Sequence, residues 1–192
     1  MKRIRESLPF LTGPRLYLRP LELADCEGPY LDWFNDEEVC RGNRHHTFPY
    51  TPEKAREYVG MTRSSTDELV LAIVDRKEET HIGNIALQQI HSIYRSAEFS
   101  IIIGDKGSWG KGYGTEAGRL LLDHGFFRLN LHRVACGTFE TNTPMQHLAL
   151  ALGMREEGRR RQAAFVGGQY VDVIEYGVLR DEYERFRAGM KE

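Results

Sequence analysis

Between residues 104 and 114 the chain carries five glycines, at 104, 107, 110, 112 and 114, after an apolar run that ends at Ile103. A stretch of helical periodicity follows at once, with Ala117, Leu120, Leu121, His124 and Phe127 on one face. A glycine-dense loop that feeds a helix start suits a phosphate. Glycine lets the backbone approach closely, consecutive N–H groups form a nest, and the helix N-terminus adds partial positive charge. A connector with glycines chosen only for turn geometry is the plainer reading, and the glycine density together with the helix weighs against it. The spacing also narrows the ligand. A nucleoside-triphosphate loop needs glycine five residues before Gly110 and Ser or Thr after Lys111, and the chain has Asp105 and Gly112 there. A dinucleotide fingerprint can be laid on Gly112-x-Gly114-x-x-Ala117, but it belongs at the start of a parallel sheet. Three antiparallel-looking strands precede it here, and a ligand with a pyrophosphate and a long flexible arm remains.

The surrounding pattern predicts strand, two helices, three strands, helix, strand, helix, two strands. The first strand is Arg15 to Arg19, closed by Pro20. Asp25 reads as the N-cap of a helix carrying Tyr30, Leu31, Trp33 and Phe34, and Thr51-Pro52 opens a second helix through about Arg63. Leu69 to Asp75 and His81 to Gln89 form a hairpin about the charged turn 76–79, and Ala97 to Ile103 extends it to a meander. Thr115 to Arg128 is helical, Leu131 to Thr138 a strand, and Asn142 to Leu152 a helix stopped by Gly153. A last hairpin, Arg155 to Phe165 and Tyr170 to Leu179, turns at residues 166–169. The class is α+β, or mixed α/β, with both antiparallel and crossover connections.

At 192 residues, 41 % hydrophobic, the chain fits one domain with a real core, and no linker or repeat divides it. A formal charge of −2, with basic residues spread along the chain, offers no nucleic-acid surface. The cluster Arg159-Arg160-Arg161 is short and reads as a solvated strand end. No run reaches the roughly 18 apolar residues of a membrane span, and a cytoplasmic protein is expected. Cys26, Cys40 and Cys136 are odd in number and far apart, as ordinary reduced thiols would be. His45-His46 lacks a third ligand at a useful spacing, and no metal is expected.

The run Trp109-Gly110-Lys111-Gly112-Tyr113-Gly114-Thr115-Glu116-Ala117 resembles the acetyl-CoA signature of the GNAT acetyltransferase superfamily, [Q/R]-x-x-G-x-[G/A]. Trp109 stands in the Gln/Arg place, as in the branch of the ribosomal-protein-alanine and spermidine acetyltransferases. Asn142-Thr143-Pro144-Met145 through Leu152-Gly153-Met154 is similar to a later motif of the family. Residues 12–20 resemble the branch's opening strand, and residues 168–173 its last hairpin. The resemblance implies a single domain over residues 1–192, built on a mixed, mostly antiparallel central sheet of about seven strands flanked by helices. It also implies acetyl-CoA as co-substrate and direct attack by a primary amine in a ternary complex. The acceptor would be a small molecule such as an amino sugar, or a peptide or protein N-terminus, and a homodimer is compatible with it.

Carried over residue by residue, the resemblance assigns backbone contacts with the cofactor to Trp109 through Thr115 and to Ile101, Ile102 and Ile103, and a contact from Asn142. Glu98, near the start of the strand, becomes the candidate base, unless it is a hairpin carboxylate paired with Arg95 or Arg133. Asp172 is a second candidate carboxylate. The usual Tyr seven residues after the motif Asn is replaced by Ala149, and the usual Ser by Met145. Tyr113 is close to the cofactor in sequence, with its ring expected on the protein surface. A thiolate is a good leaving group, with a thiol pKa of about 8.5, so water can serve as donor. Trp33, His45, His46 and Phe48 are candidate acceptor-lining residues, although core packing alone would explain Trp33. A polyamine would want an acidic wall, and helix faces split Asp36-Glu37-Glu38. The missing Tyr and Ser leave open a non-catalytic acyl-CoA-binding sensor of the same fold.

Overall fold

The computed structural model describes residues 8–189. Its centre is one eight-stranded sheet: β1 (Leu11–Thr12), β2 (Leu16–Pro20), β3 (Leu69–Asp75), β4 (Thr80–His91), β5 (Ser96–Ile103), β6 (Arg133–Phe139), β7 (Arg155–Val166) and β8 (Gln169–Leu179). The spatial order is β1-β2-β3-β4-β5-β6-β8-β7. Every neighbouring pair is antiparallel except β5 and β6. The eighth strand beyond the seven expected is the two-residue β1, too short to carry an alternating pattern.

Six α-helices lie among the described residues: α1 (Tyr30–Asn35), α2 (Glu37–Cys40), α3 (Pro52–Ser64), α4 (Tyr113–Phe127), α5 (Thr143–Ala151) and α6 (Arg180–Gly189). They divide between the sheet faces. On one face Leu71, Ile73, Phe99 and Val134 pack with Leu121, Leu122 and Phe126 of α4, Ala149 of α5 and Tyr183 of α6. On the other, Val70, Ala72 and Val74 pack with Tyr30, Trp33 and Phe34 of α1 and with Ala55 and Val59 of α3. Successive strand residues face opposite sides, so β3, covered on both, needs an unbroken apolar run.

Local chemistry sets the boundaries. Thr51 accepts from Lys54 N at 3.4 Å with Pro52 at N1, and Asn142 accepts from Met145 N at 3.3 Å with Pro144 in the first turn. Gly153, at φ +80°, ends α5 in the left-handed conformation that favours glycine. Gly167 and Gly168, both at positive φ, make the two-residue turn between β7 and β8. α6 was not expected. Its sequence, Arg-Asp-Glu-Tyr-Glu-Arg-Phe-Arg, is almost wholly charged, and Tyr183 anchors it, buried with its hydroxyl donating to Asp123 at 3.0 Å.

Asp25 is a correction. It does not cap the helix of Tyr30 but sits inside a 3-10 turn at Leu23–Glu27, its carboxylate accepting from Glu22 N at 2.8 Å. It is buried and receives two bonds from Arg19, at 2.6 and 2.8 Å, with His81 Nδ1 at 3.3 Å. Burial alone would raise its pKa, but the Arg19 and His81 contacts outweigh that and hold the carboxyl well below the ordinary carboxylate range. The Asp25 term is therefore fully present above the unfolded-state value of about 3.9 and is lost as pH falls towards the depressed native value. Breaking a buried pair costs about 3–5 kcal/mol, because one charge is left without its partner. Arg19→Ala is expected to lose that much in urea unfolding at pH 7, and a loss under 1 kcal/mol would show that the pair is not stabilising.

Candidate functional site

The parallel contact of β5 with β6 is brief. Ser96, Ala97 and Glu98 pair with Arg133, Val134 and Ala135, and there the ladder ends. Beyond it, Phe99 to Ile103 stay paired to β4 and Cys136 to Phe139 to β8. The two strands diverge as a splay, closed at Glu98 and open at Ile103. Ile101, Ile102 and Ile103 are half-buried along its β5 side. Trp109 crosses the open end, its Nε1 donating to Ile103 O at 2.8 Å while its ring packs against the second core cluster.

At that open end the glycine loop enters α4. Gly110 and Gly112 take φ of +72° and +78°, and a Cβ on Gly110 would meet nothing within 4 Å. Gly112 is the N-cap of α4 and supplies no side-chain acceptor to the first-turn N–H groups. Three donors at the head of a 15-residue helix, beside an open surface, suit a phosphate. Thr115 lies in that first turn, Lys111 is exposed, and Gly114 sits over Ile101 and Leu148, where a Cβ would make ordinary contacts at 3.7–3.9 Å.

Contacts distant in sequence hold this loop. Glu116 accepts from Arg15 N at 2.8 Å, Arg15 Nε at 2.7 Å and Leu16 N at 3.3 Å. Arg15 Nη1 also donates to Lys111 O at 2.7 Å, and its guanidinium lies 5.0 Å from the Tyr113 ring centroid. Glu116 is thereby neutralised where an anion would approach, and a positive charge is fixed 3.5 Å from the Cβ position of Gly112. Tyr113 donates its hydroxyl to Asp75. Arg15 and Glu116 went unrecognised as loop-holding residues, since nothing local marks a pair 101 residues apart.

Glu98 is exposed at the closed end and accepts from Gln89 Nε2 at 3.1 Å. Neither expected partner pairs with it: Arg95 donates to Asn130 O, and Arg133 makes a two-pronged contact with Glu157. Asp172 is two strands away on β8, and its oxygens are engaged by Gln162 N at 2.8 Å and Arg159 at 3.2 Å, which fastens a bulge in β7. Asn142, besides capping α5, donates to Gly42 O at 3.2 Å.

The segment after α2 therefore reaches across the open end of the splay. Just before it, Lys106 ties the start of α2 to the loop that follows β5, with Asp36 at 2.8 Å and Glu38 at 2.7 Å. His45, His46 and Phe48 are exposed on this strap, with His45 edge-on to Phe34 at 4.7 Å. Among the described residues no third ligand joins the histidines. Trp33 is instead buried, 5 % exposed, with its ring packed against the Cα of Gly104. Cys26, Cys40 and Cys136 are free and buried.

The family model described as an acetyltransferase (GNAT) domain matches residues 15–155. An N-acetyltransferase named p20 from Bacillus licheniformis is 30 % identical over 173 residues, covering 88 % of this chain and 95 % of the relative. The spermidine N(1)-acetyltransferase of Vibrio cholerae is 34 % identical over 111 residues, 58 % of this chain and 64 % of the relative. A crystal structure of spermidine N-acetyltransferase from that organism, in complex with CoA and spermine, superposes with a TM-score of 0.79. It shows 29 % identity and covers 88 % of this chain and 98 % of that one. Another structure of the enzyme, at a TM-score of 0.73, is described as dodecameric. Among the described residues no helix is long and apolar enough to cross a membrane.

The packing beneath the loop gives a direct test. A Cβ on Gly104 would fall within the Trp33 ring. Gly104→Ala is expected to cost about 1–3 kcal/mol by overpacking and to perturb Trp33 fluorescence; unchanged stability and emission would refute this close packing.

Proposed function

The chain belongs to the GNAT acetyltransferase family, and on that premise we propose that it transfers an acetyl group from acetyl-CoA to a primary amine by direct attack in a ternary complex. The observation that carries the reading is the splay between β5 and β6, which opens beside the head of α4, where no side chain caps the first turn. The N–H groups from Gly110 to Thr115 hold the pyrophosphate, with Lys111 and Arg15 near it. The backbone of Ile101, Ile102 and Ile103 lies along the pantetheine arm, and Asn142 approaches from the β6 side. The thioester then lies towards the closed end, where Glu98 stands.

The bound donor supplies an activated acyl group. The acceptor arrives as an ammonium and loses a proton to Glu98, directly or through water. Its free nitrogen forms the C–N bond to the acetyl carbon, and the C–S bond breaks. A backbone N–H of β5 polarises the carbonyl oxygen. The second amine proton, lost as the amide forms, passes through water to the departing thiolate, so amine and thioester become amide and free thiol. No side chain is needed to protonate the sulfur, in keeping with Ala149, which is fully buried and has no proton to give.

That same alanine favours a second reading, an acyl-CoA-binding sensor without turnover. Release of free thiol in the presence of an amine panel separates the two, since a sensor would bind acetyl-CoA and release none. Gly112→Asp is expected to weaken CoA binding by about tenfold or more, roughly 1.4 kcal/mol, measured by calorimetry with circular dichroism to confirm the fold. Unchanged affinity would rule out the loop as the phosphate cradle. Glu98→Gln is expected to lower the rate by about 10²–10⁴-fold while leaving acetyl-CoA affinity intact, and equal activity would remove Glu98 as the base.

A further inference from the structure

Residues alternate faces along a strand, and Ala97, Phe99, Val134 and Cys136 belong to the core under α4 and α5. Glu98, Ala135 and Gly137 therefore face the other way. On that face the closed end of the splay opens into a basin of about 400 Å³. Its floor is small because Ala135 and Gly137 carry little side chain, and a Cβ on Gly137 would come within 3.1 Å of Glu175 Oε2. Its walls are charged, with Glu98 and Gln89 on one side and Arg160 and Glu175 on the other. Burial, with the nearby carboxylates of Glu175 and Glu98, pushes the Cys136 thiol up to about 12.

These charges are unequally engaged. Arg133, also in the basin, offers Nη1 and Nη2 together to Glu157, and its fork is closed. Arg160 meets Glu175 through Nε at 2.6 Å, and its side chain is 65 % exposed. Among the described residues no bond engages its Nη1 or Nη2. Those paired donors match a carboxylate in two-pronged geometry, which Glu175 pre-orients by holding Nε. Glu98 has Gln89 as its neighbour and no ion pair among the described residues. The basin thus combines one carboxylate without a cation and one guanidinium that keeps Nη1 and Nη2 unengaged beside its Nε contact with Glu175. The acidic residues at the start of α2 lie outside this basin, where Lys106 holds Asp36 and Glu38.

We propose that the acceptor is a zwitterionic amine of the α-amino-acid class, with its ammonium taken by Glu98 and its carboxylate by Arg160. Glu175 is a positioning residue for Arg160. The proposal rests on the transferase reading and goes beyond it in naming the acceptor's chemistry. Spermidine, the substrate in the name of the Vibrio cholerae relative, has no carboxylate to occupy the Arg160 fork.

The test measures thiol release by the full chain with acetyl-CoA and three acceptor sets: amino acids with a free carboxylate, their α-carboxamides, and spermidine. A hydrogen bond to a charged group is worth about 1.5–3 kcal/mol, so kcat/KM for the acids is expected to exceed that for the amides by about tenfold or more. Arg160→Gln is expected to raise KM for the acids by a similar factor and bring acids and amides level, leaving KM for acetyl-CoA unchanged. Arg160→Lys keeps the charge without the fork and is expected to restore only part of the preference. Amides as good as acids, spermidine as the best acceptor, or an unchanged acid preference in Arg160→Gln would overturn the proposal and leave the transferase reading standing. Tight acetyl-CoA binding with no thiol release for any amine would overturn both.

Discussion

Everything at the site depends on how little β5 and β6 share. Parallel strands with matched twist would go on pairing, yet these stop after three residue pairs. The divergence is not fraying, because each strand remains bonded along its outer side, β5 to β4 and β6 to β8. Main-chain groups that would complete a ladder are held instead at a fixed separation. A sheet does not leave such an edge without reason, since unpaired backbone is costly when water is excluded. Here the gap stays accessible, and an extended ligand can act as the missing strand.

The gap would be of little use if its rims drifted. At the glycine loop Glu116 joins the first turn of α4 to the backbone and guanidinium of Arg15, so the loop is fixed to the start of β2 rather than left to its own flexibility. Across the opening Lys106 holds the start of α2 and Asn142 holds Gly42 just after it, one from each wall. The core under that segment is crowded enough to exclude a methyl group at Gly104. Rigid rims around an irregular opening are the arrangement expected where two reactants must meet at a set distance.

The sequence conveyed the parts of this that repeat locally. Alternation marked the strands, caps marked α3 and α5, and the glycine spacing placed the loop before α4. Local chemistry misled at Asp25, where a residue suited to capping serves a buried ion pair with a partner on β2. It was silent at α6, whose charged sequence depends on tertiary burial of Tyr183. Resemblance singles out Glu98 only as a candidate, and its lack of a cation partner shows once Arg95 and Arg133 are seen to bond elsewhere. Arg160 looked like one member of a solvated basic run. The difference from Arg159, engaged by Glu140 and Asp172, lies in strand register and a bulge that no short window reveals.

The strap between α2 and α3 is pinned near both ends, with Lys54 Nζ also donating to Pro49 O at 2.9 Å. Gly42 O is held by Asn142, and at the far end Asn35 and Tyr50 exchange two bonds, at 2.8 and 2.9 Å. Residues 44–49 between these pins are exposed. Such a segment behaves as an interchangeable cassette. Its length and side chains can be rewritten while both anchors and the glycine loop keep their geometry, because loop length itself adds only a slowly growing entropic cost. A fold with this architecture can vary one exposed strap while the glycine loop and its Arg15–Glu116 anchor stay as they are.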